Sequence, residues 1–305
     1  MQVKETRRGT RPIVVFEVAS ARDADAGRVL VELQRGLEAD QVEWVEFVDF
    51  NAAPSVGAQV PTLVACGGDS VVRACINQVA GTTTALGVCP LGGSGSVAAA
   101  LGVNPSPEAD PADSLHRALT GDLRRVDLGE INGEVFVTAA GYGAAAILGS
   151  RGRRTGAQQL WSTLRRLPER LAPVTIHVDG VQRFAGRSPV VLIGNGRYLV
   201  HADTLVEVFP EADLADAELD IAVLRPRQLL DWSVVVWRLL MGRPQPMRLL
   251  ERFKGSWVQV RTTVERPVDV DGYGGRPTTV LDVRVWPGGL LLRETVNHGA
   301  ISSAE

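Results

Sequence analysis

Two short glycine clusters, about 25 residues apart, are the parts of this chain best suited to chemistry. The first reads Gly67-Gly68-Asp69-Ser70 and the second Gly92-Gly93-Ser94-Gly95. An apolar run too short for a helix precedes each (residues 63–66 and 85–91), and apolar side chains at helical spacing follow: Val71, Val72, Cys75, Ile76 and Val79 after the first, residues 97–101 after the second. That is strand, glycine turn and helix, written twice. Where two such units lie side by side, free backbone N–H groups and the positive ends of two helix dipoles converge, which suits a phosphate. Lysine occurs only at Lys4 and Lys254, so no Walker lysine is available and a phosphate would be held by backbone N–H, arginine or a metal. From its position alone, Asp69 reads as an N-cap for the helix that follows. A second place for proton chemistry is His201-Ala202-Asp203. Histidine titrates near neutrality, and a carboxylate two residues on shares its side of an extended backbone. The alternative is a surface-loop histidine with a turn aspartate.

The elements around these residues fall into two groups. Residues 11–18 and 44–50 read as strands and 23–39 as an amphipathic helix, which with the glycine units makes a doubly wound α/β domain. Residues 105–114, rich in proline, alanine and aspartate, read as a surface loop leading to a short helix. From residue 124 the pattern turns to short alternating strands at 125–128, 134–139, 174–178, 190–195, 258–263 and 280–285. Helices are expected near 158–171 and 227–241. The division is 1–122, with 288–305 packing back on it, and a β-rich, sandwich-like domain over 123–287.

Composition narrows the function classes. Hydrophobic residues make up 45% of 305, enough for buried cores. With 35 acidic against 32 basic residues the net charge is −3, which argues against wholesale nucleic-acid binding. Cys66, Cys75 and Cys89 lie in apolar runs without CxxC spacing and read as reduced core residues. No apolar run reaches about 18 residues and no secretory leader is visible, so a cytoplasmic location is expected.

The glycine units carry a resemblance. GGD, a helix with Asn77, then LGVCPLG-x-x-x-x-x-A-x-x-LG in this order over about 40 residues resembles the diacylglycerol kinase catalytic family, which includes bacterial lipid kinases and sphingosine kinases and shares a fold with NAD kinases. The family writes the turns GGDGT and PLGTGNDFA. The likeness implies a nucleotide site at Gly67, Gly68, Asp69, Ser70, Gly92, Gly93, Ser94 and Gly95, with ATP and Mg2+ as cofactors and the γ-phosphoryl passing to a lipid hydroxyl. It extends to residues 126–146, to VVLIGNGRYLV, and to residues 212–223, so it covers nearly the whole chain.

The departures from that family are as informative. Ser70 replaces a glycine, where a side chain narrows the approach of phosphate and penalises a positive φ. The first strand ends in Glu17-Val18-Ala19-Ser20-Ala21 instead of NPxSG. Asp271-Gly272-Tyr273 stands for the family's DGE, whose glutamate is taken as the base for the attacking hydroxyl. A phenol near pKa 10 is a poor base at neutral pH, and Asp271 either keeps a catalytic place or shapes the turn. Gly141-Tyr142-Gly143-Ala144-Ala145 lacks a second acidic position. His201 and Asp203 fall where relatives carry three glycines. Asp216 and Asp220 match two acidic positions of a loop associated with a structural magnesium, interrupted by Ala215 and Ala217. Arginines 151, 153, 154, 165 and 166 form either a basic surface for an anionic ligand or a solvated helix face.

Three functions therefore compete: a ligand-binding pseudokinase or an enzyme repurposed for other chemistry; an active divergent kinase, a phosphotransferase with an alcohol acceptor; and a partner-binding scaffold. Expected partners are a lipid or hydroxylated small molecule in the cleft between the domains, a membrane surface met peripherally, and a second copy in a homodimer.

Overall fold

The computed structural model describes residues 6–7, 10–17, 24–37, 41–47, 55–56, 59–91, 96–103, 110–143, 172–201, 204–225 and 250–293. The chain forms two compact units: 1–126 with 288–305, and 127–287.

The first unit is a parallel sheet flanked by helices. Its elements are β1 (Thr6–Arg7), β2 (Ile13–Glu17), α1 (Ala24–Gly36), β3 (Glu43–Phe47), β4 (Ser55–Val56), β5 (Thr62–Gly67), α2 (Asp69–Val79), β6 (Ala85–Pro90), α3 (Ser96–Ala100) and α4 (Pro111–Thr120). β3, β2, β5 and β6 pair in that order, all parallel, and β1 pairs with β4. All six residues of β5 are buried, as a strand covered on both faces requires. Val14, Val64, Cys66 and Cys89 from the sheet pack with Leu30 and Leu33 of α1 and Leu115 of α4. The three cysteines are free and buried, and burial pushes the Cys75 thiol up. Residues 111–114, expected in a loop, are instead the first turn of α4. Asp110 caps it by accepting from the Ala112 N–H at 3.0 Å, and Pro111 fits because a first-turn residue needs no N–H partner. Gly87 lets α4 sit directly on β6: a Cβ there would lie 2.0 Å from the Ala118 carbonyl oxygen.

The second unit is antiparallel. It comprises β7 (Leu123–Ile131), which enters from the first unit, β8 (Glu134–Phe136), β9 (Ala139–Gly143), β10 (Ala172–Val178), β11 (Val181–Ser188), β12 (Val190–Gly194), β13 (Tyr198–His201), β14 (Thr204–Glu207), β15 (Leu219–Leu224), β16 (Leu250–Gly255), β17 (Trp257–Val270) and β18 (Tyr273–Arg293). The late strands are much longer than their apolar runs, because charged and threonine-rich residues between those runs continue the extended backbone. β17 is shared: residues 258–262 pair with β10 and residues 268–270 with β9, the register slipping between Arg261 and Val268. Across that irregularity one strand changes partner along its length. Val174, Ile176, Val191, Ile193, Ile221 and Leu281 are among the side chains of the core enclosed there. β11 was not foreseen; with five of eight residues exposed outside its two buried positions and one glycine, it carries almost no apolar alternation.

The end of β18 returns to the first unit, where Leu292 pairs in parallel with Leu86 of β6. Arg293 fastens it, donating from Nε to the Thr62 hydroxyl at 3.0 Å and from Nη1 to the Gly121 carbonyl at 2.8 Å. The helices expected near 158–171 and 227–241, and the arginines at 151, 153, 154, 165 and 166, lie outside the described residues.

Tyr142 shows how tight the second core is. Its ring is buried, its hydroxyl donates to the Thr278 carbonyl at 2.9 Å, and burial lifts its pKa to about 12 although the Arg266 charge pulls the other way. The folded state keeps this proton while the unfolded chain loses it near pH 10, so the contribution to stability is complete below pH 10 and is lost as pH climbs towards 12. An alkaline absorbance titration should find one of the three tyrosines with a midpoint near 12, and Tyr142→Phe should remove that one.

Candidate functional site

In the first unit, the turn from β5 into α2 brings the residues of the first glycine cluster together. Gly68 is the N-cap of α2 and supplies no side-chain cap. Asp69, the first helical residue, is 3% exposed. Its Oδ1 accepts from the Val97 N–H at 2.9 Å, in the first turn of α3. The carboxylate ties the N-terminal turns of α2 and α3 to each other. A negative group also complements the positive end of the α2 dipole there. Ser70 is the second residue of α2 and is not among the residues with positive φ, so the backbone strain expected of a side chain at this place does not arise. Gly92, Gly93, Ser94 and Gly95 lie outside the described residues.

In the second unit, Asp271 and Tyr273 flank the turn from β17 to β18. Asp271 is 1% exposed with φ +50, a left-handed position that aspartate tolerates. Its carboxylate accepts from the N–H groups of Val137 (2.9 Å), Thr138 (2.8 Å) and Ala139 (3.2 Å) and from the Thr138 hydroxyl (2.6 Å). These four hydrogen bonds fasten residues 137–139 to the turn between β17 and β18. Tyr273, the first residue of β18, is half-buried opposite Val270. Asp269, buried alongside, accepts from the Gly272 N–H at 2.9 Å and shapes the turn.

Three buried residues that the sequence did not single out complete this knot. Asn195, 1% exposed, donates to the carbonyls of Asp127 (2.8 Å) and Val137 (3.0 Å). The backbone N–H groups of Asn195 and Gly196 both reach the Thr138 carbonyl. Asp127 accepts from the Ala217 N–H at 2.7 Å, fixing the loop before β15. The signal for Asn195 was present, an asparagine and glycine directly after an apolar strand; nothing local marks Asp127 or Thr138.

His201 ends β13, opposite Thr204 of β14. Asp203 lies outside the described residues, so the acid/base pair stays an expectation. Asp216 and Asp220 do come together, but around a side chain. Lys254 of β16, directly across from Asp220 of β15, places Nζ 3.4 Å from Asp216 Oδ2 and 3.6 Å from Asp220 Oδ2. Asp216 Oδ1 accepts from the Glu218 N–H and Asp213 Oδ1 from the Ala215 N–H. Burial works against the Lys254 charge, and the two carboxylates outweigh it, so its pKa rises. At Asp220 burial dominates instead and lifts the carboxyl despite the ammonium. These donors do not fit a divalent ion, which would need the oxygens that the ammonium and the loop's own N–H groups occupy. Among the described residues no group of three or more His, Cys, Asp or Glu side chains could hold a metal.

The comparisons with known proteins fit this geometry. The diacylglycerol kinase catalytic domain matches residues 19–131, the stretch that contains the glycine turns, α2 and α3. Over that stretch the chain resembles the diacylglycerol kinase catalytic domain, and its curated relatives are similar at low identity. The diacylglycerol kinase of Bacillus subtilis is 23% identical over 230 residues, covering 70% of this chain and 71% of that one. A Pseudomonas aeruginosa protein named "Probable lipid kinase YegS-like" is 28% identical over 262 residues, covering 83% and 81%. Among solved structures, a diacylglycerol kinase from Bacillus anthracis has a TM-score of 0.65 at 18% identity, with 94% and 98% of the two chains covered. An NAD kinase from Archaeoglobus fulgidus in complex with ATP has a TM-score of 0.53 at 13% identity, with 93% and 94% covered. The mixed α/β architecture with a β-rich second part is that of this lipid kinase and NAD kinase fold.

Proposed function

We propose that this diacylglycerol-kinase-like protein has lost most of its phosphoryl-transfer activity and acts as a ligand-binding pseudokinase. The observation that carries the reading is Asp271: four hydrogen bonds from residues 137–139 occupy its carboxylate, and the residue two places on, in the position of the family's base, is a tyrosine. Loss of a general base costs about 10²–10⁴-fold in rate, so a preserved frame would still bind while turning over slowly. The frame itself is supported by β5, α2 and Asp69, which would face ATP and Mg2+ through the first glycine turn. When bound, those groups supply the transferable phosphoryl and its charge neutralisation.

The expected ligands are a nucleotide and a lipid or hydroxylated small molecule. We place the protein in the cytoplasm, meeting a lipid only peripherally; among the described residues no helix is long and apolar enough to cross a membrane. A second reading, an active divergent kinase, is favoured by one observation, the retained Asp69 at the start of α2.

Thermal unfolding with Mg-ATP and with ADP, together with an ATP-consumption assay on diacylglycerol vesicles, separates the alternatives. A shift in midpoint without turnover is the expected result. Turnover at the level of an active relative overturns the pseudokinase reading, and Asp69→Asn should then abolish it. No shift with either nucleotide points to repurposed chemistry or to a scaffold.

A further inference from the structure

We propose that Lys254 is a built-in cation for the acidic loop 213–220, in the place a divalent ion among these carboxylates would take, so that the second unit holds its shape without metal. Four of the eight residues in the loop are acidic: Asp213, Asp216, Glu218 and Asp220. Such a concentration of like charge beside a buried strand needs a counter-charge. The positive group that faces both Asp216 and Asp220 is Lys254, reaching them from the neighbouring strand. Arg252, two residues before it, also lowers the cost of the Asp220 charge, but its guanidinium is anchored elsewhere, donating to the Val208 carbonyl and lying over the Phe209 ring.

The residue type itself is informative. Arginine supplies all but two of the 32 basic residues, yet this position is lysine. A lysine ammonium is a compact point charge with donors in three directions, whereas a guanidinium is a flat fork. Of the basic side chains, the ammonium is the closer imitation of an ion held among oxygens. The rest of the loop agrees: Asp216 Oδ1 and Asp213 Oδ1 accept from backbone N–H groups within the loop, and Ala217, with φ +57, hands its N–H to Asp127. Those oxygens are committed to backbone, while Asp216 Oδ2 and Asp220 Oδ2 face the ammonium. The inference does not depend on whether the protein binds nucleotide.

Unfolding of the full chain in EDTA and in magnesium or calcium chloride tests it. The native midpoint should be the same in all three. Lys254→Gln should lower the midpoint in EDTA by about 2–4 °C, and magnesium or calcium should restore it, because the uncovered oxygens then suit a hard cation. Lys254→Arg keeps a charge and should stay indifferent to metal. The proposal is overturned if Lys254→Gln unfolds like the native chain or ignores both cations, or if magnesium raises the native midpoint by an amount that Asp216→Asn removes. Should Lys254→Gln be insoluble, purification in calcium decides: soluble protein that aggregates on chelation supports the built-in cation, and insolubility with calcium present overturns it.

Discussion

Asp271→Ala should destabilise the second unit by about 3–5 kcal/mol, the range for breaking a buried charged hydrogen-bonded group. The carboxylate accepts from three backbone N–H groups and one hydroxyl in a place that is 1% exposed. Alanine leaves these donors without their acceptor and is less at ease than aspartate in the left-handed conformation at φ +50. A melting midpoint lowered by roughly 6–20 °C is expected, taking about 2–4 °C per kcal/mol. Asp271→Asn should lose less, since asparagine tolerates the left-handed backbone and keeps one acceptor oxygen. The distinction from a catalytic role is direct. A catalytic aspartate can be changed to asparagine with the fold intact and activity gone; here the asparagine protein should melt early, whatever its activity. An Asp271→Ala chain with the native midpoint would show that the carboxylate is not the clamp of the 137–139 segment.

Gly87→Ala should be as damaging to the first unit. The added methyl would stand 2.0 Å from the Ala118 carbonyl oxygen and 2.8 Å from its carbon. Both atoms belong to the backbone of α4, so no rotamer relieves the contact and the whole helix must shift. Overpacking of this kind costs about 3 kcal/mol or more, and the displaced helix would also pull Leu115 from its place against the sheet. Loss of soluble protein, or a midpoint lowered by roughly 6–12 °C, is the expected result. An unchanged midpoint would mean that α4 is not held against β6 at this distance.

These two residues also show what a single sequence reveals. The strand, glycine turn and helix around Gly67-Gly68-Asp69 were legible because every part is local: an apolar run, a turn residue and a 3.6-residue period within about 20 positions. The second core was legible as strands, but not in its extent. β17 and β18 cross charged and proline-containing stretches that alternation alone would end. The job of Asp271 could not be read locally, since its donors are 132–134 residues away in the chain. A pattern that names aspartate at a turn cannot say which backbone it faces. The same holds for Lys254 and Asp220, brought opposite each other only by the pairing of β15 with β16. The bond from the Val97 N–H to Asp69 was not legible locally either, since it spans 28 residues.

The return of β18 to β6 sets the order in which the protein can mature. Residues 127–287 lie within the covalent continuity of the first unit, and the edge of β6 is closed only when Leu292 arrives. On the ribosome, the nascent parallel sheet therefore waits with one margin bare while more than half the chain is still being made. Translation pauses or chaperone shortage in that interval should favour strand capture between unfinished copies.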